Sequence, residues 1–443
     1  MKRILVSGYC PHGNTGYGLQ TNKLLQFLRD QYTIGIVFWD IVERDSCEAT
    51  TFSKFTSESA RFKEKSINND CDVFIPRRPL SHYENYYWED MKWVCDRYLP
   101  DFIISIHDIW TIPTMGKTIS TPMYAWLPIH FDPPELNTIA NLQHFESIWS
   151  TSLWGKGILS EFHNNVIHVP HFIDDVFFDA VLSNSTRKSD IRKRNGITDE
   201  AFVFLMVARN TELSNRKAFN IALNAFNVYK KTKNPLAHLH LHVNINGAIN
   251  IQKIATDLNI SESVSQSCQE TFSRYEFPPE YVRDLYLMSD ALLCTSAAEG
   301  FGLPVVEAQC CGLPVIATDC TGMSENVLIG RLSKPVRQLT GNPGSFSQPS
   351  DVNVLADMIS LQQDPPSQTE INMSRMIMRY TFGDDTVSRA IKSNIGYTRK
   401  RKILNYPHTV DVYKTTTDMM TFDGRVGYNN NVFYDLKDFK TFE

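Results

Sequence analysis

The segment Ser296-Ala297-Ala298-Glu299-Gly300-Phe301-Gly302-Leu303-Pro304-Val305-Val306-Glu307-Ala308-Gln309-Cys310-Cys311-Gly312-Leu313-Pro314-Val315-Ile316-Ala317-Thr318 follows the apolar run Ala291-Leu292-Leu293-Cys294. It reads as a strand, a glycine turn, a helix and a second strand. Gly300 and Gly302 let the backbone approach a ligand closely, and Pro304 suits the first turn of the helix. Free amides at such a helix start face an anion. Glu307 follows Glu299 by eight positions, so one carboxylate sits in the loop and the other about one turn into the helix. Such a pair grips different hydroxyls of one ligand. A carboxylate beside a phosphate is repelled unless it contacts hydroxyls, so the pair points to a sugar or a ribose. Taken alone, this spacing is more often a helix-start acid complementing the macrodipole plus an ordinary helical glutamate.

Outward from this segment, strand and helix patterns alternate in two series. The second series predicts strands over 202–207, 238–245, 291–294 and 313–317, with helices over 218–231 and 280–288. The first predicts strands over 3–7, 32–39, 72–75, 102–106 and 123–126, a glycine-rich loop over 8–18 and a helix beginning near Leu19. Between them, residues 172–199 are polar and charged around Asn184-Ser185-Thr186-Arg187-Lys188, which suits a linker. Residues 338–350, with Gly341, Asn342, Pro343, Gly344 and Pro349, read as a surface loop. The division that follows is 1–175, 176–380 and a terminal part 381–443, whose helix near 385–394 packs back over the first domain if the family resemblance given below holds.

Length and composition agree with two soluble domains. The chain has 443 residues, 42% hydrophobic and 21% charged, enough to bury two cores and stay in solution. Acidic residues number 49 and basic residues 44, a net charge of -5, so no global field draws the chain to nucleic acid or anionic lipid. Nine scattered cysteines without a C-x2-C pair suit a reducing compartment and no structural zinc. The apolar run Ile4-Leu5-Val6 stops at Ser7-Gly8, which is too short for a signal peptide or a membrane span. A cytoplasmic protein is expected.

The run from Glu299 to Ala317 resembles the donor signature of glycosyltransferase family 4, E-G-F-G-L-P-x-x-E-A followed by G-x-P-V-I-A. The resemblance implies an α/β fold of the GT-B type, two Rossmann-like doubly wound domains facing a cleft, with retention of anomeric configuration and no metal. It implies that Glu299 contacts hydroxyls of the donor sugar and Glu307 the ribose, while Gly300 and the amides of Phe301, Gly302 and Leu303 face sugar and diphosphate. Val207-Ala208-Arg209-Asn210 and Asn215-Arg216-Lys217 resemble the family's R-N-x-x-x-x-R-K segment. Arg209 and Lys217 are then the cations on the diphosphate, with Arg216 as a substitute for Lys217; alone, such residues are more often solvated surface.

Gly13-Asn14-Thr15-Gly16-Tyr17-Gly18 resembles the family's glycine loop, which bends around the acceptor side and the donor phosphates and assigns a binding role to Gly16 and Gly18. It is not a dinucleotide fingerprint, because Thr21 stands where a third glycine is required, and a plain tight turn is the other reading. Tyr124-Ala125-Trp126-Leu127-Pro128-Ile129-His130-Phe131-Asp132-Pro133-Pro134 resembles the segment carrying an active-site histidine or aspartate. His130 is the first candidate, Asp132 the alternative, and His107-Asp108 a second site at another strand end. Ser152-Leu153-Trp154-Gly155 and His168-Val169-Pro170-His171-Phe172-Ile173-Asp174 resemble the family's crossing segment, with Phe172 where glycine is usual. The resemblance spans about residues 1–390 and is strongest over 200–328.

Other signals carry less. Asp70-Cys71-Asp72 has metal-binding spacing but precedes a strand, and Gly116-Lys117-Thr118 lacks the upstream glycine of a phosphate loop. His238, His240 and His242 alternate along a strand and are expected on the outer face of an edge strand, not at a metal. Arg399-Lys400-Arg401-Lys402 reads as solvated charge. The function implied is a retaining transferase moving a hexose from a UDP- or GDP-sugar to a glycan, lipid or protein acceptor that the sequence does not identify. The nucleotide sugar is a substrate, so no cofactor or metal is expected, nor any nucleic acid; peripheral membrane contact stays open. The alternative is a non-catalytic sugar-nucleotide-binding or regulatory subunit of the same fold, against which the intact Glu299, Glu307, Arg209 and Lys217 argue.

Overall fold

The computed structural model describes residues 1–9, 15–38, 88–108, 119–132, 134, 139, 142–179, 185–273, 277–341 and 344–395, with short strands at 54–55, 71–74, 413–414, 425–428 and 432–435. The first sheet is built from β1 (Lys2–Gly8), β2 (Tyr32–Phe38), β3 (Lys54–Phe55), β4 (Cys71–Phe74), β5 (Phe102–Ile106), β6 (Met123–Leu127), β7 (Ser147–Ser150) and β8 (Val166–His168). Their order is β3-β4-β2-β1-β5-β6-β7-β8, parallel except for β3. The second sheet has β9 (Val203–Val207), β10 (His238–His242), β11 (Val264–Gln266), β12 (Ala291–Cys294), β13 (Val315–Thr318) and β14 (Gly330–Ser333), all parallel in the order β11-β10-β9-β12-β13-β14. Two doubly wound α/β domains therefore make a GT-B fold.

The apolar runs in the sequence are buried on both faces, as central parallel strands must be when helices cover each side. Ile4, Leu5, Val6, Ile103 and Ile104 are fully buried in the first domain, as are Val203, Phe204, Leu205, Leu292 and Val315 in the second. Phe172 belongs to the first core, whereas Ile173, Phe177 and Phe178 belong to the second. Phe172 stacks on Phe27 with ring centroids 5.1 Å apart. Its backbone is clamped by Gln20, which donates to the carbonyl at 2.8 Å and accepts from the amide at 2.7 Å. The side chain absent from the family's glycine thus works here as a core residue at the crossing. The helix Asp384–Asn394 contributes Val387 and Ile391 to the first domain's core.

Three expectations need correction. The helix expected near Leu19 begins at Gly16, because the Thr15 hydroxyl caps it by accepting from the Gly18 amide at 3.1 Å. The polar stretch taken for a linker contains the helix Ser185–Arg194, three of whose basic side chains are spent in ion pairs with the second domain. Arg187 meets Asp284 at 2.6 Å, while Lys188 and Arg192 both reach Asp290 at 2.7 Å. The loop expected over 338–350 is largely an antiparallel hairpin, β15 (Pro335–Gly341) against β16 (Gly344–Pro349).

The histidine row is a fourth correction. β10 lies between β9 and β11, not at the edge. His238 and His240 pair with the Ser265 hydroxyl at 2.8 and 2.7 Å, and His242 with Ser267 at 2.8 Å. Burial lowers all three, to about 4, 3 and 4 in chain order, so they serve as a neutral hydrogen-bonded ladder. Gly13-Asn14, Asp70, Gly116-Lys117-Thr118 and Arg399 to Lys402 lie outside the described residues. Among the described residues no helix is long and apolar enough to cross a membrane.

Candidate active site

The two sheets bring the carboxyl ends of their strands to one cleft, which is where open parallel sheets bind ligands. From the first domain come Gly16 and Tyr17 beyond β1, Asp108 beyond β5 and His130 beyond β6. From the second come Arg209, Arg216 and Lys217 beyond β9, Glu299 to Leu303 beyond β12, and Thr321 beyond β13.

The turn after β12 has the shape its glycines allow. Gly302 has φ +84 and caps the helix Leu303–Cys310 from the left-handed region, with Pro304 in the first turn. A Cβ at Gly300 would stand 2.2 Å from the Pro128 Cβ, so a side chain there collides with the first domain. The Thr321 hydroxyl clamps Glu299, accepting from its amide at 2.9 Å and donating to its carbonyl at 2.7 Å. Among the described residues the amides of Gly302 and Leu303 have no hydrogen-bond partner, which leaves a positive helix start open to an anion.

Glu299 is the centre of a charge cluster. Its carboxylate is paired with the Lys217 ammonium on one oxygen and stands 3.4 Å from Arg216 on the other; the three side chains are 14%, 17% and 13% exposed. Arg216 is held in turn by Glu212 at 2.6 and 2.9 Å and by the Ala298 carbonyl at 2.6 Å. Burial pushes the Glu299 carboxyl up, but Lys217 and Arg216 outweigh it and hold the group well below the usual carboxylate range. Glu307 is different. Burial raises it to about 7, although the Tyr286 hydroxyl donates to its Oε2 at 2.8 Å and works the other way.

A chain of hydrogen bonds crosses between the domains. The Tyr17 hydroxyl donates to Asp108 Oδ1, His130 Nε2 meets that same oxygen at 3.1 Å, and the Gly300 amide donates to His130 Nδ1 at 3.0 Å. Burial works to raise the Asp108 carboxyl, yet the bonds from His130 and Tyr17 and the field of Arg216 hold it below its ordinary range. His107 is buried, pairs with Ser7 Oγ at 3.0 Å and is lowered to about 3 by burial. Two further contacts hold the domains together beside this chain. The Glu325 carboxylate accepts from the Leu153 and Trp154 amides at 2.7 and 2.8 Å, and the Thr151 hydroxyl donates to the Gly300 carbonyl at 3.3 Å.

Of the residues singled out in the sequence, the structure gathers His130, Lys217, Glu299, Gly300 and, by way of Leu303, Gly16, since a Cβ at Gly16 would stand 3.0 Å from the Leu303 Cδ1. Gly18 is buried in the helix, its amide taken by Thr15. Phe301 is buried, with His171 and Phe382 at its ring edges. Arg209 is exposed at the end of β9, and Arg216 occupies the buried position between Glu212 and Glu299. Tyr17, Tyr286 and Thr321 were missed. Position at the carboxyl end of a strand signals Tyr17 and Thr321; nothing local signals Tyr286, which lies 21 residues before its partner. A cavity of about 260 Å³ between β10, β11 and the helix Ile251–Asp257 contains none of these residues. Among the described residues no group of three or more His, Cys, Asp or Glu is arranged to hold a metal ion.

Comparison with known proteins agrees with this geometry. The family Glycosyl transferases group 1 matches residues 187–331, the stretch that carries Arg209, Lys217, Glu299 and Glu307. No curated protein sequence matches the chain. Among solved structures, sucrose-phosphate synthase from Thermosynechococcus elongatus is similar with a TM-score of 0.67 at 14% identity, covering 89% of this chain and 98% of its own. The Anabaena protein HepE in complex with UDP and glucose is similar with 0.63 at 15%, covering 89% and 100%. WaaG, a glycosyltransferase involved in lipopolysaccharide biosynthesis, is similar with 0.62 at 12%, covering 89% and 100%. The described chain thus has the GT-B fold of these glycosyltransferases, and its residues 187–331 match the Glycosyl transferases group 1 domain.

Proposed function

We propose that the chain is a retaining glycosyltransferase that moves a hexose from a UDP- or GDP-sugar to an acceptor hydroxyl without a metal ion. The observation that carries this reading is the pair of cations, Arg216 and Lys217, held on Glu299 beside the open start of the helix Leu303–Cys310. In transfer, the bond from sugar C1 to the diphosphate oxygen breaks and its electron pair stays on the diphosphate. Arg216, Lys217 and the amides of Gly302 and Leu303 oppose the charge that grows there, and Arg209 reaches the same group from the end of β9. The acceptor oxygen bonds to C1 on the face the diphosphate leaves, and its proton passes to the departing diphosphate. Glu299 and Glu307 bind hydroxyls of the sugar and ribose in this reading and form no covalent intermediate. The UDP and glucose bound by HepE support a uridine nucleotide as the first donor to test.

The test is thermal-shift and calorimetric titration with UDP-, GDP- and ADP-sugars in the presence of a chelator, followed by assay of nucleoside diphosphate release with and without acceptor mixtures. Binding of one nucleotide class, lost in Glu307→Ala, with release only when acceptor is present, is the expected result. Binding without release under any acceptor would favour the non-catalytic subunit. No binding at all would overturn the donor site.

A further inference from the structure

Both ring nitrogens of His130 are engaged, and their partners dictate where its proton lies. A neutral imidazole has one N–H and one lone pair. The Gly300 amide is a donor and stands 3.0 Å from Nδ1, so Nδ1 must be the lone pair. Nε2 then carries the hydrogen and donates to Asp108 Oδ1 at 3.1 Å. That oxygen also accepts from the Tyr17 hydroxyl, and the carboxylate has no proton of its own to offer. Asp108 and His130 are 14% and 17% exposed, so water competes little for these bonds. Tyr17 is itself set by stacking on Tyr9, with ring centroids 4.7 Å apart and planes within 8°.

We propose that Asp108 is a positioning residue: with Tyr17 on the same oxygen, it keeps His130 in the Nε2-protonated form, so that Nδ1 ties the Gly300 amide of the donor turn to the first domain. The assignment rests on the donor-site reading above. Its effect falls on the reaction and not on nucleotide affinity. Gly300 begins the turn that aims the Gly302 and Leu303 amides, whereas the ribose and diphosphate contacts assigned to Glu307, Arg216 and Lys217 belong to the second domain alone. A turn released from His130 still binds the nucleotide but presents its amides out of line as the charge develops.

The tautomer is read directly by nitrogen-15 NMR of histidine-labelled protein, with His130→Gln to assign the signal. The unmodified protein is expected to show a protonated Nε2 and an unprotonated Nδ1 at His130. Asp108→Ala is expected to lose that preference, lower kcat roughly 10- to 100-fold and leave the dissociation constant of the nucleoside diphosphate unchanged. Asp108→Asn presents a carbonyl oxygen to both donors and is expected to restore the tautomer and most of the lost kcat. Tyr17→Phe, which leaves Asp108 in place, is expected to lower kcat with nucleotide affinity unchanged, and it carries the comparison if the alanine variant does not fold. A persistent tautomer in Asp108→Ala, an asparagine variant as impaired as the alanine one, or an equal loss of nucleotide affinity would each overturn the proposal. Absence of any transfer by the unmodified protein would instead refute the transferase reading, and the NMR arm would still decide the role of Asp108.

Discussion

Lys217 and Glu299 meet as an ion pair although 82 residues separate them, because β9 and β12 are neighbours whose ends open on the same cleft. Water reaches little of either charge: the two side chains are 17% and 14% exposed. Removing one partner of such a pair leaves the other charge buried.

Lys217→Ala should therefore destabilise the protein as well as weaken diphosphate binding. Breaking a buried pair costs about 3–5 kcal/mol, and Arg216, which remains 3.4 Å from Glu299, keeps the expected loss near 3 kcal/mol in chemical denaturation. Glu299→Gln in the same chain should recover most of that stability and none of the turnover. A single lysine variant with unchanged unfolding free energy would show that the pair is not buried in solution.

Stability should depend on pH with opposing contributions. Burial lowers His107, His171 and His240 to about 3, and His238 and His242 to about 4. For these groups the unfolded chain binds more protons below about pH 6.5, so stability is complete above that value and falls as the pH drops towards 4. Glu307, raised by burial from 4.5 to about 7, has the reverse sign: its contribution is complete below about pH 4.5 and is lost as the pH rises through 7. Glu307→Gln, measured without ligand, should gain roughly 2–3 kcal/mol over the parent at pH 8 and lose that advantage below pH 5. Parallel pH profiles for the two proteins would refute the raised carboxyl.

Two glycines of the cleft should respond differently to alanine. At Gly300 the added Cβ lies 2.2 Å from Pro128 and 3.2 Å from the Ile129 amide nitrogen, and the turn cannot retreat while Thr321 holds Glu299. At Gly16 the nearest atom is the far end of the Leu303 side chain at 3.0 Å, which can change rotamer. Gly300→Ala is expected to open the domains, visible as a larger radius of gyration in small-angle X-ray scattering, and to reduce transfer at least about 10-fold. Gly16→Ala should keep the scattering curve and most of the activity.

Glu325 caps a helix of the other domain, since both its oxygens accept from the first amides of Leu153–Leu159. Glu325→Ala should cost about 1 kcal/mol, the usual worth of an N-terminal cap, and should shift the chain towards an open arrangement without altering nucleotide affinity. The same scattering measurement checks it, with Glu325→Gln expected to lie between the two because it keeps one acceptor.

The central strands of the two sheets and the donor turn were legible in the sequence because their causes are local. Central parallel strands must be apolar on both faces, so β1, β5, β9 and β12 announce themselves as runs. Gly302 must be glycine because its φ is +84, and Pro304 marks the helix start from its own ring. Polarity misled where charge is spent inside the fold: Arg187, Lys188 and Arg192 read as a solvated linker, but Asp284 and Asp290, about a hundred residues on, turn that stretch into a packed helix.

The sequence by itself determined β1, β2, β4, β5, β6, β9, β10, β12 and β13 and where glycine is required, since dihedral limits and burial act on neighbouring residues; the short strands β7, β8, β11 and β14 were not expected. Only the tertiary structure decided which side chains share charge and protons. Tyr17 lies in the first turn of a helix and Asp108, His130 and Gly300 on three separate loops, and Arg216, not the exposed Arg209, took the place beside Glu299. Hydrogen bonds and ion pairs depend on distances of a few ångströms, and chain closure between remote strand ends, which no local pattern records, sets those distances.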